Sequence, residues 1–190
     1  MIRRMFLALS LLALVAPAFA AELEIGAKAP AFTGLPGVDG KECSLDAMKD
    51  AKVVVVCFTC NSCPVAVAYE DRLVAFQKKY GEKGVKLVAI NANKNSESLD
   101  VMKTRAEEKG FNFPYVFDAS GKLATEYGAN VTPHIFVLDG ARKVAYVGAF
   151  DDSQQKPAKH YVADAVDALL AGKTISVSKT KAVGCGINNK

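Results

Sequence analysis

Three cysteines fall within the seven residues 57–63, in the stretch VVVVCFTCNSCPVAVAYEDRL that runs from residue 53 to 73. Cys60 and Cys63 stand in a C-x-x-C spacing, which puts two sulfurs within reach of one disulfide. Pro64 follows at once, and proline suits the first position of a helix, where its missing N–H is harmless. Cys63 is therefore expected at the helix N-cap. There the unsatisfied amides and the positive end of the helix dipole favour a thiolate, so the thiol should be acidic and reactive. The residue types support a redox pair, a purely structural disulfide or a metal site. A redox pair fits best. Cys57 sits inside the apolar run and reads as a small core residue.

The elements around these sulfurs follow from periodicity. Residues 52–58 (KVVVVCF) form a continuous β-branched run, as expected of a central strand covered on both faces. Residues 64–80 have a helical pattern, ended by Gly81 and Gly84. A second buried strand is expected at 85–91, and a helix from Leu99 to about Lys109, capped by the polar Asn95-Ser96-Glu97-Ser98 segment. A short strand at 115–117 and a small helix at 121–127 come next. Two strands, 134–139 and 143–148, meet at the Asp139-Gly140 turn, and a last amphipathic helix spans about 159–170. The turn-rich segment 22–50 suggests a short hairpin around Gly37–Gly40. The order β-α-β-α-(β-α)-β-β-α predicts an α/β sandwich around a small mixed sheet, in one domain at 21–172 with a polar, loosely structured tail at 173–190.

Residues 1–20 read as a signal peptide. Arg3 and Arg4 precede an apolar run from Met5 to about Val15, and Ala18-Phe19-Ala20 offers small residues for cleavage after Ala20. The run is shorter than the roughly 20 residues a membrane span needs. Ordinary secretion fits better than the twin-arginine route, and no membrane span is expected after cleavage. The product would be secreted or periplasmic. Loss of Arg3 and Arg4 takes the formal charge from +4 to +2, too mild to suggest nucleic acid. All five cysteines lie in the exported part, where disulfides can persist. Five is odd, so a thiol is left over in any fully paired monomer.

The strand–loop–helix carrying C-x-x-C, together with VTPHIFVLD at 131–139, resembles thioredoxin-fold proteins. FTCNSCPVAVAYEDR, YGANVTPHIFVLD, GAFDD and the C-terminal GCGI are similar to peroxiredoxin-like redoxins of the alkyl hydroperoxide reductase/thiol-specific antioxidant superfamily. The likeness covers about residues 24–187. It implies a thioredoxin-like three-layer sandwich with an N-terminal hairpin and an inserted β-α element. It also implies a cis Thr132-Pro133 bond facing the cysteines, at the place where a substrate chain would pair.

The implied activity is thiol–disulfide exchange. Cys63 attacks, Cys60 resolves, and Thr132 and Pro133 position the substrate. No cofactor is required beyond a redox-active Cys60–Cys63 disulfide. Partners would be protein or small-molecule thiols and disulfides, hydroperoxides in a weak peroxidase variant, and a separate redox donor protein. Cys185 is either a second resolving thiol or a tail cysteine without a role.

Two departures qualify the resemblance. The chain has no Trp, whereas thioredoxins carry one before their first active-site cysteine. The P-x-x-x-T-x-x-C pattern of true peroxiredoxins is also missing, since Val56 and Cys60 hold the Pro and Thr places relative to Cys63. An alternative use of the same region is soft-metal binding, for copper or zinc, by Cys60, Cys63 and His134. His160, Glu70 and Arg72 read as surface or packing residues.

Overall fold

The computed structural model describes residues 21–93, 95 and 97–187. The expected signal peptide, and with it the cleavage point after Ala20, lies outside the described residues. Among these, no helix is long and apolar enough to cross a membrane.

A two-stranded hairpin, β1 (Leu35–Pro36) and β2 (Glu42–Cys43), precedes the main sheet. The chain then builds β3 (Val53–Thr59), α1 (Pro64–Val67), α2 (Glu70–Tyr80), β4 (Val85–Asn91), α3 (Leu99–Lys109), β5 (Tyr115–Phe117) and α4 (Lys122–Tyr127). It closes with β6 (Val131–Thr132), β7 (His134–Leu138), β8 (Val144–Gly148), α5 (Tyr161–Leu170) and β9 (Cys185–Gly186). The five-stranded sheet has the order β5-β4-β3-β7-β8. Strands β3, β4 and β5 are parallel, while β7 and β8 add an antiparallel hairpin.

All seven residues of β3 are buried, as the β-branched run requires of a central strand. Side chains alternate across the sheet. Val53, Val55 and Cys57 pack in one layer with Leu73 and Phe76 of α2, Met102 of α3 and Val162 of α5. Val54, Val56 and Phe58 pack in the other with Leu123 and Tyr127 of α4 and Phe32 of the N-terminal segment. The result is helices on both faces of a mixed sheet. Parallel β3 and β4 end at the same edge, and both cysteine loop and polar loop therefore emerge side by side.

Two expectations need correction. The pattern at 64–80 is divided into two helices rather than one. Tyr69 N donates to Ala66 O, so the ladder tightens to an i−3 bond at the junction before α2 takes over. The tail is not loose. Val147 N donates to Ser178 O and Thr180 N to Val147 O, which lays the tail along the outer edge of β8. Gly148 leaves room for this: its φ is +139° and a Cβ there would lie 2.3 Å from Thr180 O. The tail then crosses to β6, where β9 pairs antiparallel with Val131 and Thr132.

Candidate active site

Cys63 is the N-cap of α1 and Pro64 its first residue, as the spacing predicts. Cys60 lies between the end of β3 and this cap. Both are buried, at 2% exposure each. Thr132 holds both sulfurs. Cys63 Sγ donates to Thr132 O at 3.2 Å, and Cys60 Sγ lies 3.1 Å from Thr132 Oγ1. The Thr132-Pro133 bond is cis, as the resemblance implies. A cleft of about 420 Å³ opens beside Pro133, lined among others by Val65, Tyr69, Asp151 and Val183.

The two thiols are electrostatically unlike. Burial works against ionisation of Cys63. The Cys185 thiol and the backbone amides of Ala66 and Cys185 outweigh it, so its pKa falls below the ordinary thiol value. No regular side-chain cap bond closes on α1, so this effect comes from several donors around the sulfur rather than from one short cap. At Cys60 burial dominates, the neighbouring Glu97 charge adds to it, and the pKa rises in spite of the Thr132 and Ser62 hydroxyls. Cys57 is fully buried and its pKa is driven far up by burial. It is a core residue, as expected. All five cysteines are free thiols here, so the structure describes the reduced site.

The loop between the sulfurs is gripped by Glu97, a residue whose place in the sequence suggests only a helix cap. The cap itself is Ser98, whose hydroxyl accepts from Val101 N. Glu97, 7% exposed, instead reaches across to the cysteine loop. Its carboxylate accepts from Asn61 N at 2.8 Å, from Ser62 N at 2.9 Å and from Ser62 Oγ at 2.9 Å. Buried Asn91 donates to Glu97 Oε2 at 2.5 Å and to Tyr115 Oη at 3.1 Å, and Tyr115 Oη donates to Asn61 Oδ1 at 2.8 Å. A carboxylate that follows a parallel strand ending at the same sheet edge was the available signal for this role.

His134 does not join the sulfurs. It lies in the layer of Phe58 and Phe136, stacked on Phe136 with ring centroids 4.7 Å apart. Its Nε2 is 2.9 Å from Glu22 Oε2, which also meets Lys179 through Oε1 at 2.9 Å. Glu22 is out of line for a regular hydrogen bond to the ring. Burial holds the His134 pKa below its usual value despite the Glu22 charge. Among the described residues, no three His, Cys, Asp or Glu side chains are grouped to hold a metal ion. The Cys60, Cys63 and His134 ligand set is therefore not assembled.

Glu70 and Arg72 are packing residues, one of the two expected roles. Glu70, 3% exposed, takes a two-pronged bond from Arg105 at 2.9 and 2.7 Å, tying α2 to α3. Arg72 pairs with buried Asp151 and lies over the Tyr69 ring at 4.4 Å, while Tyr69 Oη donates to Asp151 at 3.0 Å. Asp151 of the GAFDD stretch thereby anchors the start of α2. His160 precedes α5 and is exposed.

A mixed sheet between helix layers, a C-x-x-C loop at a helix start and a facing cis-proline define a thioredoxin-like redoxin. The chain belongs to the redoxin family, whose pattern it matches over residues 24–169. Among solved structures it is similar to a hypothetical protein of Sinorhizobium meliloti, with 33% identity and a TM-score of 0.82 over 88% of this chain and 95% of the other. It is equally similar to an uncharacterized conserved protein of Geobacillus kaustophilus, with 33% identity and a TM-score of 0.82 over 92% and 94%. A putative thiol:disulfide interchange protein of Chlorobium tepidum matches at 28% identity and a TM-score of 0.66, over 78% of this chain and 99% of that one. Comparison with curated proteins gave no match.

Proposed function

We propose that this redoxin is an exported thiol–disulfide oxidoreductase in which Cys63 is the attacking thiol and Cys60 the resolving one. The observation that carries this reading is the pair held against Thr132: Cys63 at the helix N-cap and Cys60 in the loop before it, both sulfurs within 3.2 Å of the residue before the cis-proline, with the Cys63 pKa lowered by the donors around it and the Cys60 pKa raised by burial. The redoxin family and the similarity to a thiol:disulfide interchange protein support it.

The Cys63 thiolate attacks one sulfur of a substrate disulfide. A bond forms to Cys63, the substrate S–S bond breaks, and the departing thiolate takes a proton from solvent. Cys60 then loses its proton and attacks Cys63 Sγ. The Cys60–Cys63 disulfide closes and the second substrate thiol leaves. Two electrons pass to the substrate, and a partner dithiol returns them. The reverse sequence oxidises a substrate dithiol. No cofactor other than the disulfide is needed. Thr132 and Pro133 form the edge that orients the substrate. Protein or low-molecular-weight disulfides fit this chemistry best. In the peroxidase variant the Cys63 thiolate attacks the terminal oxygen of a hydroperoxide, the O–O bond breaks and an alcohol leaves; Cys60 then attacks the Cys63 sulfenic acid, closing the disulfide and releasing water, though Cys60 stands where an activating Thr would be.

The test is turnover of glutathione disulfide or insulin with a dithiol as electron source, using the mature chain and its Cys60→Ser and Cys63→Ser forms. The wild type should turn over and Cys63→Ser should not. Full activity in Cys63→Ser, or copper or zinc bound in stoichiometric amount by purified protein, would overturn the reading. Export is checked by intact mass: the extracytoplasmic fraction should contain a chain starting at Ala21.

A further inference from the structure

The tail places a third thiol on Cys63. In the β6–β9 pairing Thr132 stands opposite Cys185, and Ile187 N donates to Asn130 O at 3.0 Å. Thr132 is also the residue whose carbonyl accepts from Cys63. Cys185 is thus carried on an extended strand to the backbone edge beside the candidate nucleophile. Cys185 thereby stands across the strand pair from the residue whose carbonyl meets Cys63 Sγ, and each thiol shifts the ionisation of the other. Glycines flank it on both sides. A Cβ on Gly184 would come 1.9 Å from Thr132 O, so only glycine lets the strand lie this close. Cys60 and Cys63 are buried, whereas Cys185 is exposed.

We infer that β9 acts as a built-in substrate strand and that Cys185 is a third redox thiol, exchanging with the Cys60–Cys63 disulfide and carrying its oxidising or reducing equivalents to the surface. The inference rests on the thiol–disulfide reading above. Cys185 loses its proton and attacks Cys63 Sγ in the Cys60–Cys63 disulfide. The Cys63–Cys185 bond forms, the Cys60–Cys63 bond breaks, and Cys60 leaves as a thiolate that takes up the proton. The two disulfides are isomers at the same oxidation level, so no outside oxidant or reductant enters. In the Cys63–Cys185 form the exposed Cys185 sulfur is open to a partner thiol that cannot reach Cys60. The same strand covers the edge that a protein substrate would pair with. A protein disulfide must therefore displace β9, whereas a small thiol attacking Cys185 need not.

The experiment is peptide mapping under non-reducing conditions of the full mature chain carrying Cys60→Ser, after poising in glutathione buffer. A Cys63–Cys185 disulfide, formed within one chain and independent of protein concentration, is expected. Adding Gly184→Ala to Cys60→Ser should push the strand off Thr132 and shift the product at least tenfold toward Cys63–glutathione. Accumulation of Cys63–glutathione with Cys185 still alkylatable in the Gly184-containing chain would overturn the inference. In Cys185→Ser, the Cys60–Cys63 disulfide should still form, while its reduction by glutathione should slow at least tenfold. An unchanged reduction rate would also overturn the third-thiol role. Failure of Cys60–Cys63 to pair in Cys185→Ser would instead strike the proposed function itself, so the two failures are separable.

Discussion

The cysteine loop has two walls, and they are built differently. One wall is Glu97, Asn91 and Tyr115, a buried polar network that fastens the Asn61–Ser62 turn through backbone and side-chain bonds. The other is Thr132 with the tail strand, which touches the sulfurs themselves and leaves Cys185 open to solvent. The first wall fixes where the loop sits. The second is the face at which sulfur can be exchanged. Buried acceptor oxygens are tolerable on the first because Asn61, Ser62 and Asn91 donate to them, and chemistry is possible on the second because the sulfurs themselves lie there.

Breaking each wall in turn should separate position from chemistry. The largest effect is on the exchange face. Cys63→Ser should lower disulfide turnover by about 10³-fold or more, as removal of a nucleophile commonly does, while the thermal transition stays close to wild type. The next is on the anchoring wall. Glu97→Ala strands the amides of Asn61 and Ser62 and the Asn91 side chain, and should destabilise the protein by about 2–3 kcal/mol, read from the urea midpoint. Glu97→Gln keeps one of the two acceptor oxygens and should fall between wild type and Glu97→Ala. A control outside both walls sharpens the contrast. Cys57→Ser puts a hydroxyl into the packed layer of Leu73 and Ile135 and should destabilise by about 1–3 kcal/mol, with turnover per folded molecule unchanged.

The smallest effect is a titration. The Cys63 pKa is lowered, so the thiolate survives to lower pH than at an ordinary cysteine. Alkylation of Cys63 should rise with pH and level off below the range typical of free thiols. Because the Cys185 thiol is one of the groups that lowers it, Cys185→Ala, which removes the donor, should move that midpoint upward. Removal of Cys60, whose own pKa is raised, should not substitute for it. A Cys63 midpoint at or above the ordinary thiol value in wild type would break the asymmetry between the two sulfurs.

What could be read beforehand was local. The β-branched run 53–59, the proline after Cys63 and the Asp139-Gly140 turn each act within a few residues, and the strand, the helix start and the β7–β8 hairpin follow from them. Glu97 was legible only as part of a cap, because its partners Asn61 and Ser62 lie 36 and 35 residues away in the chain. The tail looked polar and free, yet it is held by backbone bonds to β8 and β6, which composition does not encode. His134 was misplaced by its nearness in sequence to the cis-proline. The alternation of β7 turns its ring to the layer of Phe58, and the Glu22 carboxylate beside it comes from the N-terminal segment. The buried pairs Glu70–Arg105 and Arg72–Asp151 likewise join residues far apart in the chain.

The most direct test of the central claim is thiol trapping with mass spectrometry on the mature chain in glutathione buffers of graded potential, alongside Cys60→Ser/Cys185→Ser and Cys63→Ser/Cys185→Ser. A reversible Cys60–Cys63 disulfide is expected in the parent chain, with a mixed disulfide accumulating on Cys63 once both possible resolving thiols are gone. No reversible pairing in the parent chain, or mixed disulfide accumulating only on Cys60, would contradict it.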